Sequence, residues 1–120
     1  VGGGEEKIMT KFLYVYHGSG KIPATEAERH EMMKAWDAWF ASLGADVLDT
    51  GNPVGMSKTV MPSGKVENNG GVNPTGGYSI IEAKDIDDAA RKAKSCPILA
   101  AGNANIEIAP ILDMRTMTAG

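Results

Sequence analysis

The chain contains one cysteine, Cys96, in 120 residues. No intramolecular disulfide can form, which fits a reducing compartment and a cytoplasmic location. Histidine is also scarce. His17 and His30 are the only two, and neither stands at metal-ligand spacing from the cysteine. A structural zinc site is therefore excluded, and no metal or cofactor is expected. No apolar run approaches the ~18 residues of a membrane span, and the start of the chain lacks the apolar core of a secretory signal. There is no basic excess either: 12 Lys and Arg stand against 15 Asp and Glu, a net charge of −3. Nucleic acid is a poor partner for such a chain, because phosphate neutralisation needs a basic face. What remains is ordinary for one globular domain, with 42% apolar and 22% charged residues.

The chain reads as two similar halves around a glycine-rich middle. Lys11–His17 is aromatic and β-branched, the composition of a strand. Phe12, Tyr14 and Tyr16 point to one side of it, Leu13, Val15 and His17 to the other. Thr25 and Glu28 have capping-box spacing, and Met32, Trp36, Trp39, Phe40 and Leu43 recur with helical period up to Gly44. A helix over Thr25–Leu43 and a short strand over Val47–Thr50 follow. Between Gly51 and Gly77 lie seven glycines, three prolines and four asparagines. This stretch reads as turns, apart from a small hairpin, Lys58–Met61 with Lys65–Glu67, around a type I turn at Met61-Pro62-Ser63-Gly64. The second half repeats the scheme. It has a strand over Gly77–Ala83 and a helix over Ile86–Ser95, capped by Asp85, with a stripe of Ile86, Ala89, Ala90 and Ala93. Cys96-Pro97 stops that helix, and a last strand covers Asn105–Ile111. Met9-Thr10-Lys11 reads as a natural start. Residues 1–8 are then a flexible leader or an expression remnant, 9–112 the domain, and 113–120 a peripheral tail.

This order predicts an α+β, ferredoxin-like antiparallel sheet with two helices on one face and an extra hairpin. The other sheet face, apolar at alternate positions of the first strand, needs a cover. A second copy would supply it. Burying ~600 Å² more apolar surface contributes about 15 kcal/mol before the costs of association. A homodimer closed by two-fold symmetry is the expected assembly.

Several stretches resemble the YCII-related/DGPF domain family: Lys11–Tyr16 (KFLYVY), the helix end Trp39–Gly44, Gly76–Ile81 and Asp85–Ala93. Ser95-Cys96-Pro97 and Ile106–Ile111 resemble that family's Cys-Pro and closing Glu-(Ile/Val)-Arg-Pro-(Ile/Val) segments. The resemblance covers roughly Thr10–Leu112 and implies a dimeric α/β barrel. Some relatives carry a His-Asp pair proposed as catalytic. By resemblance its His would be His30, while Cys96-Pro97-Ile98 stands where the Asp would be. The Asp-Gly-Pro-Phe tetrad is replaced by Gly71-Val72-Asn73-Pro74.

The candidate site lies between the sheet and the glycine-rich segment. His17, ending the first strand, and Tyr16 are candidates to move a proton; Tyr14, Tyr78 and His30 are candidates to bind a ligand. The competing reading makes the tyrosines core or interface and His30 a partly exposed helix residue. His30 and Asp37 lie about 10.5 Å apart along the helix, too far for a direct pair. Cys96, at a helix C-terminus, is a poor nucleophile. Two functions follow. One is a dimer binding a small molecule, active as a cofactor-free enzyme through His or Tyr proton transfer. The other is a non-catalytic protein-interaction module.

Overall fold

A computed structural model of the chain describes residues 9–18, 23–68 and 74–114. It is a mixed α+β structure. The strands β1 (Thr10–His17), β2 (Val47–Pro53), β5 (Thr75–Ala83) and β6 (Asn105–Pro110) form one antiparallel sheet in the order β2-β5-β1-β6. The hairpin strands β3 (Thr59–Val60) and β4 (Val66–Glu67) pair separately. Helices α1 (Glu26–Leu43) and α2 (Ile86–Ala93) complete the architecture. The leader, the centre of the glycine-rich loop and the last six residues of the tail lie outside the described residues.

Alternation along β1 decides the layering. Phe12, Tyr14 and Tyr16 are buried and face the helices. Tyr14 donates its hydroxyl hydrogen to Ala89 O on α2, and its ring lies 6.4 Å from that of Trp39 on α1. Both helices therefore cover the same side. On the other side Leu13 stands opposite Ile80, and Val15 opposite Tyr78. All four are half-buried.

Helix α1 begins as the sequence requires: Glu28 N donates to Thr25 Oγ1 at 3.0 Å, and Ala24 N donates to Glu28 Oε1 at 2.7 Å. Its apolar stripe engages only towards the C-terminal end. Trp36, Trp39, Phe40 and Leu43 pack on the core, with Trp39 Nε1 donating to Lys92 O at 3.1 Å, while Met32, at the start of the stripe, is only half-buried.

Helix α2 departs from the expected stripe. Ile86 is exposed, and Asp88 and Lys92 are buried with Ala89 and Ala93. The reason is electrostatic. Lys92 Nζ donates to Asp46 Oδ2 at 2.8 Å and to Glu82 O at 2.9 Å, and lies 3.5 Å from Asp88 Oδ2. Asp88 accepts from Lys84 N at 3.1 Å and pairs with Arg91. With each charge partnered, burying the pair is tolerated, and the lysine stem packs as apolar surface. The helix also ends at Ala93 rather than Ser95, and Pro97–Ala101 forms a 3-10 turn that periodicity did not indicate.

The hairpin lies where the turn residues place it. Gly64 N donates to Met61 O and Met61 N to Lys65 O, both at 2.8 Å. β2 runs three residues further than the sequence pattern suggested, by bending at Gly51. There φ is +74°, and a Cβ would lie 1.6 Å from Tyr78 O, so only glycine fits.

Candidate functional site

An open trough of about 2220 Å³ runs between α1 and the sheet end where β2 leads into the hairpin segment and β5 begins. Its aromatic wall is Trp36 and Phe40 from α1 with Tyr16 from the sheet; Tyr78 borders it along β5, its side chain alternating to the other sheet face. The Trp36 ring stands edge-on to Tyr16 at 5.2 Å and lies 5.8 Å from Phe40. Three acids, Glu28, Glu31 and Asp37, also line it, and among the described residues no lysine, arginine or histidine does.

A polar relay underlies this wall. Tyr16 Oη donates to Ser79 Oγ at 2.8 Å, and Ser79 Oγ donates to Thr50 O at 2.6 Å. Burial pushes the Tyr16 hydroxyl well above the usual phenol range, even though the Ser79 contact opposes that shift. Tyr16 is thus a neutral hydroxyl whose hydrogen is already committed to Ser79. Tyr78 differs: it is half-buried, and alternation along β5 puts its side chain with Val15 on the sheet face away from the helices. Ser57, on the hairpin side, has a buried Oγ with no hydrogen-bond partner among the described residues. A buried hydroxyl of this kind calls for a partner, a bound water included.

Of the five residues singled out by sequence, the trough brings together two, Tyr16 and Tyr78. Tyr14 is fully buried beneath α2, and burial, with Asp88 nearby, pushes its hydroxyl up to about 12. His30 is exposed on α1 and does not line the trough. His17 lies at the irregular step between β1 and β5 and is 7% exposed. Its Nε2 is 2.8 Å from Glu107 Oε1 on β6, and its Nδ1 is 3.3 Å from Pro74 O. Both neighbours are acceptors, so His17 clasps three chain segments together rather than opening onto the trough. Cys96 is 3% exposed, and burial raises its thiol to about 12, which leaves it inert.

Two features escaped the sequence reading. Ser79 carried a usable signal, being the one polar side chain on the inward face of Gly77–Ala83, beside Ile81 and Ala83. The ion cluster of Asp46, Asp88 and Lys92 carried none, because it joins segments 46 positions apart. Among the described residues no group of three or more His, Cys, Asp or Glu side chains could hold a metal ion, and no helix is long and apolar enough to cross a membrane. No protein-family model matches the chain, and no curated protein matches it in sequence.

Proposed function

We propose that the chain is a YCII-related, ferredoxin-like protein that pairs into a dimeric α/β barrel and binds a small molecule in the trough. The strand order β2-β5-β1-β6, with both helices on one face, supports the fold reading. The half-buried Leu13, Val15, Tyr78 and Ile80 on the opposite face support closure by a second copy.

The observation that carries the binding reading is the aromatic wall, with Ser57, whose buried hydroxyl lacks a partner among the described residues, in the same lining. A concave apolar surface with a few polar groups is what ligand sites share. The charge of the lining narrows the ligand. Among the described residues the charged side chains lining the trough, Glu28, Glu31 and Asp37, are all acids, and the Lys34 that pairs with Glu31 at 3.8 Å is itself well exposed; this lining disfavours carboxylates and phosphates, and aromatic faces attract cations. The ligand is therefore an uncharged or amine-bearing aromatic or aliphatic molecule. His17 and Tyr16 hold the site in shape.

The test is a titration of tryptophan emission with matched fragments: benzylamine, benzyl alcohol and benzoate. The amine and the alcohol should perturb Trp36 at lower concentration than benzoate, and Phe40→Ala should weaken both. Benzoate binding best would refute the ligand class, and no response to any fragment would refute the site.

A further inference from the structure

The segment 54–68 forms an arm. Every residue of it except Ser57 is exposed, and its two-residue strands pair only with each other. Met56 is 96% exposed and Val60 70%; Val54, Met61 and Val66 are exposed as well. A lone ribbon of this size is marginal in water, and apolar side chains held out along it call for another surface. Val54 N donates to Gly76 O at the root, while the contacts of Lys58 with Asn68 and of Lys65 with Glu67, like the turn bonds at Met61 and Gly64, stay within the arm.

The trough has the opposite deficit. At about 2220 Å³ it is more than twice the upper size of an ordinary ligand pocket, ~1,000 Å³. The arm root, Val54–Ser57, forms one edge of it, while the tip, Thr59–Glu67, does not line it. The trough offers Trp36 and Phe40 with Glu31 and Asp37 beside them; the tip and its flank offer Val60, Met61 and Val66 with Lys58 and Lys65, and the existing pairs Glu31–Lys34 at 3.8 Å and Lys65–Glu67 at 3.5 Å are exposed and can exchange partners. The two surfaces match in polarity and in charge, and both belong to one chain.

We propose that the arm of each chain enters the trough of a second copy, so that each ligand site is built from two chains. Val60, Met61 and Val66 lie over Trp36 and Phe40, and the arm lysines approach Glu31 and Asp37. The exchange is reciprocal, as two-fold symmetry requires. It leaves a smaller pocket beside Ser57. This inference rests on the binding reading only in taking the trough as the site.

Size-exclusion chromatography with light scattering at micromolar concentration tests it. The wild-type chain should run at twice its 12.6 kDa mass. The arm variant Val60→Ser/Met61→Ser/Val66→Ser, altered only at exposed positions, should keep its far-UV circular dichroism and self-associate about 100-fold more weakly. The trough variant Glu31→Lys/Asp37→Lys should weaken pairing too. Mixing the two variants should restore a dimer, because one intact arm then meets one intact trough. A monomeric wild type, an arm variant as dimeric as wild type, or a mixture that stays monomeric would each overturn the exchange. If Ile80→Glu splits the dimer while the arm variant stays paired, closure through the sheet face stands and the exchange falls. The small-molecule reading is judged apart, since fragments can still be titrated into whichever species forms.

Discussion

Asp88 offers the most exacting test of how this fold is held together. Its carboxyl accepts from Lys84 N and pairs with Arg91 and Lys92, and these contacts hold its pKa at about 2, down from an ordinary 3.8. The difference, 3.8 − 2 = 1.8 units, corresponds to about 2.4 kcal/mol at 1.36 kcal/mol per unit. Arg91 is 69% exposed, so solvent screens its share and about 1–2 kcal/mol is the expected net. The folded pKa is depressed, so the contribution is complete above the unfolded value and is lost as pH falls from about 4 towards 2. Urea unfolding followed by circular dichroism at several pH values, for wild type and Asp88→Asn, measures it. Asparagine keeps an acceptor for Lys84 N but loses both ion pairs. The variant should be less stable by about 1–2 kcal/mol at neutral pH, and the gap should close as pH approaches 2. Two curves that run parallel from pH 7 to pH 2 would refute the reasoning, because the cost would then owe nothing to the charge.

Other outcomes follow from single positions. Gly51→Ala should destabilise by several kcal/mol and sharply lower the thermal midpoint, since its Cβ would collide with Tyr78 O at positive φ. Tyr14→Phe should cost about 1 kcal/mol in denaturant unfolding through the lost bond to Ala89 O. The raised Tyr14 pKa makes the stability it contributes complete below about 10 and lost as pH climbs towards about 12, so the wild type should weaken more than Tyr14→Phe across that alkaline range. Thr25→Ala should cost about 1 kcal/mol by removing the cap on Glu28 N, and a chemical denaturation curve would show it.

The sequence made the main elements legible because local chemistry sets them. Thr25 and Asp85 start the helices, Gly44 stops the first, and Met61–Gly64 turns the hairpin. Alternation in β1 correctly separated Phe12, Tyr14 and Tyr16 from Leu13 and Val15. It could not reveal which polar groups find partners across the fold. No local pattern marks Asp88 and Lys92 for burial; Asp46 and Glu82 come beside Lys92 only in the fold. The candidate site was readable only as a region. Tyr16 stands at the trough, but its role depends on Ser79 and Thr50, and the pairing of Tyr16 with Ser79 spans 63 positions. His17 looked like a strand-end base. Its partner Glu107 is 90 positions away, a distance at which no local pattern carries information.

The lopsided seating of α1 has a mechanical consequence. Its C-terminal turns are pinned by Trp39 and Phe40, while its N-terminal turns, from Glu26 to Glu31, stand free of the core. The rod is a cantilever. Its loose end can unwind or tilt by breaking only its own backbone bonds, while the clamped end stays fixed. Amide exchange should accordingly run fast at the start of the rod and slow at its end. The wall nearest Met32 can then yield to an incoming molecule without loosening the sheet beneath it.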